Sequence, residues 1–353
     1  MTPREKLNAQ AAKRILISDG AFGTQIQNRK LTEADYAGDL GLTADQKGNN
    51  DILALTRPDV IRDITRAYFE AGSDIVATNT FSANVISQAD YAAEALVRDI
   101  NVESGTIARI LADEYEARDA QKGLERPRFV AGAIGPTNKT LSLSPDVEDP
   151  GFREITFDYL TSVYYEQAAA LMAGGCDFIL IETIFDTLNA KAGVMAVKQL
   201  ERELGRDVPI MLSMTLTDLS GRNLSGHTVE AFWYAVRHAN PVTIGLNCSF
   251  GAEQLRPHVQ LLSKIANTLL MAYPNAGLPN ELGEYDEAPE TTAGLVREWA
   301  VNGQANILGG CCGSSPEHIA AMARAVDGLA PRAIPQRDVK MRLAGLEPFT
   351  IAA

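Results

Sequence analysis

Eight short apolar runs, separated by longer segments of helical period, constrain this sequence more than any other feature. The runs are RILISDG (14–20), DIVATNTF (74–81), RFVAGAIG (128–135), FILIET (178–183), PIMLSMTL (209–216), TIGLNCSF (243–250), LLMAYPNA (269–276) and NILGGCC (306–312). Each is nearly continuous in apolar residues, as suits a parallel strand covered on both faces. Between them, PDVIRDITRAYFEAG (58–72), LTSVYYEQAAALMAGG (160–175) and TLNAKAGVMAVKQLERELG (187–205) read as helices that end in glycine, the favoured C-cap residue. Eight strands alternating with helices predict an α/β fold, a single (β/α)8 TIM barrel over residues 1–340. A doubly wound sheet would normally bring a glycine-rich phosphate loop after its first strand, and DGAFGT (19–24) offers only G-x-x-G. The remainder, MRLAGLEPFTIAA (341–353), is read as a C-terminal tail apart from the barrel.

A chain of 353 residues, 46% of them hydrophobic, can bury a core that needs no covalent staples, so its four cysteines are not required as a disulfide framework. The formal charge of −13 argues against nucleic acid or an anionic membrane as partner. No stretch approaches the roughly 20 apolar residues that span a bilayer, and the N-terminus lacks the apolar run of a secretory signal. The expected setting is the reducing cytoplasm, where clustered cysteines more often bind metal or catalyse than cross-link.

In a barrel of this kind the active site sits at the C-terminal ends of the strands. Those ends carry Asp19, Asn79 and Thr80, Gly135, Glu182 and Thr183, Thr215, Cys248, Asn275, and the adjacent pair Cys311 and Cys312. The fourth cysteine, Cys176, falls at the opposite end of its strand and reads as a small buried hydrophobe. Cys248 and Cys311 are separated by 62 residues, a spacing that matches no local metal motif. Barrel closure would nevertheless bring the ends of the sixth and eighth strands within about 10 Å of each other. A disulfide between neighbours Cys311 and Cys312 would need a strained ring. The readings left open are three buried free thiols or a soft three-thiolate set that suits zinc. Three protein ligands leave the fourth position open, so such a site would take a substrate thiol and keep it deprotonated. Of the histidines, His227 alone falls at the correct end of the barrel, whereas His238, His258 and His318 read as surface or capping residues.

SDGAFGTQIQ (18–27), ATNTFSAN (77–84), IETIFDTLNA (181–190), GLNCSFGAEQL (245–255), YPNAGLP (273–279) and GGCCGSSPEHI (309–319) together resemble the homocysteine S-methyltransferase family. Within it, they look most similar to the N-terminal homocysteine-binding module of cobalamin-dependent methionine synthase, and the tail MRLAGLEPFTIAA (341–353) resembles the junction to its folate-binding module. The resemblance implies zinc on Cys248, Cys311 and Cys312, with Asn275 filling the open position when substrate is absent. It also implies that the homocysteine amino group is held by Asp19 and Glu182. The amides of Gly20 and Ala21 are candidate partners of the substrate carboxylate, with Thr80 and Asn79 as further donors.

The methyl donor implied is methylcobalamin. Because the chain shows no cobalamin-loop histidine motif, the expectation is a split methionine synthase whose cobalamin-binding and folate-binding parts are separate chains. Two alternatives stand beside it. One is a stand-alone homocysteine methyltransferase using betaine or S-methylmethionine; the other is a non-catalytic homocysteine- or zinc-binding subunit or sensor.

Overall fold

The computed structural model describes residues 1–336 and 339–351. The parts of the two expected segments at residues 337–338 and 352–353 lie outside the described residues. The eight apolar runs form eight strands: β1 (Leu16–Ile17), β2 (Ile75–Ala77), β3 (Phe129–Ile134), β4 (Phe178–Ile184), β5 (Ile210–Met214), β6 (Thr243–Gly251), β7 (Leu269–Asn275) and β8 (Ile307–Leu308). All are parallel, in the order β1-β8-β7-β6-β5-β4-β3-β2. A bridge between Ser18 and Ile75 joins the two ends of the sheet. The expected (β/α)8 barrel is thereby borne out.

The helices follow from local chemistry. Helix Pro58–Ala71 starts with proline at its first turn and stops at Gly72, whose φ of 108° suits only a residue without Cβ. Helix Thr187–Leu204 is capped by the Asp186 carboxylate, which accepts from the amides of Leu188 and Asn189.

Strand alternation divides the core in two. Leu16, Ile75, Phe129, Phe178, Leu180, Met211, Met271 and Ile307 point into the barrel, where Leu7 and Ala11 of helix Pro3–Ala11 pack against them. Their neighbours Ile17, Val76, Val130, Ile179, Leu212 and Ile244 point outward under the helices. Both faces are thus apolar, which explains the unbroken hydrophobic runs. Each large side chain so buried contributes roughly 1.5–3 kcal/mol, and all four cysteines are free thiols.

The thin β1–β2 seam is tied by charge. Asp74 is fully buried and receives Arg14 at 2.8 Å and Arg126 at 2.7 Å. Burial alone would push its carboxyl up, but the two guanidiniums hold it below the usual range. After the barrel, β9 (Arg342–Ala344) and β10 (Pro348–Thr350) form an antiparallel hairpin against helix Val229–Val236. The Thr228 amide donates to the Leu346 carbonyl at 3.1 Å, and Arg222 pairs with Glu347. Among the described residues, no helix is long and apolar enough to cross a membrane.

Candidate thiol site at the barrel mouth

Two local irregularities bring the distant cysteines together. The β6–β7 register shifts between Asn247 and Gly251, and within that bulge Cys248 and Ser249 take φ values of 60° and 62°. Such left-handed backbone costs a non-glycine residue about 1–2 kcal/mol, a strain characteristic of functional sites. At the end of β8 the glycines serve close approach: a Cβ on Gly309 would lie 2.8 Å from that of Ser18, and one on Gly310 would overlap Ser314. The Cys311 amide donates to the Pro274 carbonyl at 2.8 Å, and the Ala276 amide to the Cys312 carbonyl at 2.9 Å. Both cysteines are therefore pinned to the end of β7.

The Cys248 and Cys312 sulfurs stand 3.7 Å apart, and all three lie within 4.8 Å of one another, each half-buried. Sulfurs bonded at 2.3 Å to one tetrahedral ion would be about 3.8 Å apart, so the trio needs little adjustment to share a metal. Among the described residues it is the one group of three or more His, Cys, Asp or Glu side chains that could hold an ion. Hydrogen bonds from the thiols of Cys248 and Cys311 hold Cys312 far below the ordinary thiol range. Asn275 is 1% exposed; its amide NH2 donates to the Tyr285 hydroxyl at 3.4 Å, and its Oδ1 has no hydrogen-bond partner. A buried acceptor left unmade costs about 1–3 kcal/mol, and this one belongs to the strand end that holds Cys311 and Cys312.

Two carboxylates face the same mouth. Asp19 accepts from the Ala77 amide at 2.7 Å and the Ser18 hydroxyl at 3.1 Å, and burial pushes it up to about 7. Glu182 accepts from the Tyr273 hydroxyl at 3.1 Å; burial, and then the charge of Asp19, push it up to about 8. Neither carboxylate takes part in a salt bridge within 4 Å among the described residues. A desolvated carboxyl pair whose ionised form is costly without a cation is a natural receptor for an ammonium group, whose charge would favour ionisation.

The remaining expected residues are placed as follows. Gly20 leaves no room for a side chain, since a Cβ would lie 2.8 Å from Ser314 Oγ. The Ala21 amide donates to Ser314 Oγ at 3.3 Å. Asn79 donates to the Asn50 carbonyl at 2.7 Å. Thr80 is fully buried, and its hydroxyl donates to the Ala133 carbonyl at 2.7 Å. Thr215 shares a 2.8 Å hydrogen bond with Ser249, and the Gly135 amide donates to the Phe81 carbonyl. His227 shares a hydrogen bond with Ser225 rather than joining the thiols. His318 caps its own helix through Ser315. Sequence reading passed over Tyr273, Tyr285 and Ser314. For Tyr273 a signal existed, because period-two alternation puts it on the inward face of β7 with Asn275 and Met271.

The model of the homocysteine S-methyltransferase family matches residues 16–326. The fold is similar to that of the homocysteine methyltransferase MmuM from Escherichia coli. Its metallated form is 22% identical, with a TM-score of 0.70 over 92% of this chain and 99% of that one. Its oxidised form is 21% identical, with a TM-score of 0.71 over the same shares.

Proposed function

Within the homocysteine S-methyltransferase family, to which this chain belongs, we propose that this methyltransferase binds zinc on Cys248, Cys311 and Cys312 and converts homocysteine to methionine as the homocysteine-activating part of a cobalamin-dependent methionine synthase. The observation that carries the proposal is the meeting of three sulfurs within 4.8 Å at the end of the barrel where the carboxylate pair also lies. The orphaned oxygen of Asn275 supports it, as a candidate fourth ligand when substrate is absent. Bound there, zinc would supply the positive charge that keeps a substrate thiol ionised at neutral pH, where a free thiol of pKa about 8.5 is mostly protonated.

The chain's own groups orient the substrate. Asp19 and Glu182 hold its ammonium, and burial strengthens those charge-assisted bonds. Its carboxylate is assigned to the amides of Gly20 and Ala21, where it would take the place of Ser314 Oγ on the Ala21 amide. Asn79 and Thr80 brace this wall through their bonds to Asn50 and Ala133. In the net reaction a sulfur–methyl bond forms as the donor–methyl bond breaks. The electron pair of the broken bond stays with the donor, and the thiol proton passes to water. No side chain has to act as a strong general base.

Methylcobalamin, delivered by a separate cobalamin-binding chain that works with a folate-binding one, is the donor this reading assigns. Its support is the resemblance of GLNCSFGAEQL, YPNAGLP and GGCCGSSPEHI to the methionine synthase module. Four free thiols accord with a cytoplasmic setting. The second reading is a stand-alone methyltransferase using betaine or S-methylmethionine, which would need the same thiol cluster and carboxylate pair.

Metal analysis and single-donor turnover test these readings together. The purified chain should hold one zinc and form methionine from methylcobalamin, and Cys248→Ala should lose both while keeping its circular dichroism. Retention of zinc and full activity by Cys248→Ala would overturn the site. Turnover with betaine or S-methylmethionine alone would establish the second reading.

A further inference from the structure

Asn247 precedes Cys248 in β6, is 1% exposed, and satisfies every polar atom of its side chain. Its Oδ1 accepts from the Thr183 amide at 3.1 Å and from the Ser213 hydroxyl at 2.6 Å. Its NH2 donates to Thr183 Oγ1 at 2.9 Å and to the Cys311 sulfur at 3.8 Å. The orientation of the amide is fixed, because a backbone N–H can only donate and must therefore meet the oxygen. The NH2 is left for the sulfur. Thr183, a β-branched residue at φ 54°, adjoins Glu182 in the chain and is held by Asn247 through both its amide and its hydroxyl.

One buried amide therefore spans the gap between the strand end that carries the carboxylate and the loop that carries the thiol. We propose that Asn247 is a positioning residue that orients the Cys311 sulfur, and withdraws charge from it, through an N–H···S hydrogen bond. Hydrogen bonds to metal-bound sulfurs tune such centres, and losing an outer-shell partner typically costs roughly 10–100-fold in metal affinity. Oxygen in place of NH2 would also oppose the sulfur with like charge. The inference rests on the metal-binding reading above.

Cobalt(II) is a suitable probe, because its sulfur-to-metal absorption reports the electron density on the thiolates. Asn247→Ala and Asn247→Asp should each weaken Co2+ affinity roughly 10–100-fold. The Ala variant should also move the sulfur-to-cobalt band to longer wavelength, since an unassisted thiolate gives up charge more easily. Ser213→Ala removes a different bond to the same side chain and should leave both affinity and band in place. If Asn247→Ala does not accumulate as folded protein, the Asp variant, of the same shape, carries the affinity comparison. Parent-like affinity and spectra in the Asn247 variants, or an equal change in Ser213→Ala, would overturn the inference. A parent protein that binds no Co2+ at its cysteines would instead overturn the metal reading itself.

Discussion

Replacing Glu182 with Gln should stabilise the metal-free protein at alkaline pH while weakening its hold on homocysteine. The carboxyl is pushed up to about 8, by burial first and the charge of Asp19 second, against an ordinary 4.5. Between those two values the folded chain keeps a proton that the unfolded chain has released. Stability is therefore lost as pH rises from about 4.5 to about 8, and the penalty is complete above that. A gap of about 3.5 pH units corresponds to about 5 kcal/mol in a fully dry site. Glu182 stands at an open mouth and keeps part of its hydration, which reduces the expected penalty to about 1–3 kcal/mol. Gln has no such proton. Urea unfolding of chelator-treated parent and variant at pH 5.5 and 8.5 should show the difference moving in favour of Gln by about two-thirds of that amount, the share of the window these two points span. Calorimetric titration of the zinc-loaded proteins should show homocysteine affinity falling roughly 10–100-fold, the value of one hydrogen bond to a charged group. Parallel stability curves for the two proteins across this range would refute the desolvated carboxylate, and with it the ammonium receptor.

Leu7→Ala, which opens a cavity where the N-terminal helix meets the barrel interior, should cost about 2–5 kcal/mol in chemical unfolding. Zinc affinity, measured by chelator competition, should be unchanged in this variant. Gly313 sits at φ 79°, and a Cβ there would overlap the Tyr285 side chain. Gly313→Ala should cost about 1–2 kcal/mol for the backbone alone and displace the loop that carries Tyr285, read as faster proteolysis within residues 277–288.

The expected residues that the structure brings to one mouth are those whose type conflicts with their place. Asp19, Glu182 and the three thiols stand at the ends of runs otherwise apolar, where a polar group is costly unless it is used. Tyr273 escaped notice because an aromatic residue in a buried strand is ordinary packing, and only its 3.1 Å contact with Glu182 marks it. Tyr285 lies in a loop of no fixed period, so its contact with Asn275 depends on tertiary folding alone. Strand lengths were overread at the seam. The first and last runs span seven residues each, yet β1 and β8 keep only two in regular pairing. Arg14 is drawn to Asp74 before β1, and Gly309 and Gly310 crowd against Ser18 and Ser314 after β8. Side-chain ties and close backbone contacts replace the ladder there, and a hydrophobic run cannot announce them.

Leu7 and Ala11 close one end of the barrel, and this has a consequence for turnover. The interior between that end and the thiols is filled by side chains, so the site is approached from the rim at the C-terminal strand ends. If the proposed function holds and a bulky methyl carrier seats over the opening, homocysteine has to reach Asp19 and Glu182 before that carrier arrives, and methionine leaves only after it has lifted away. Steady-state kinetics should therefore follow a compulsory order, with homocysteine first to bind and methionine last to depart.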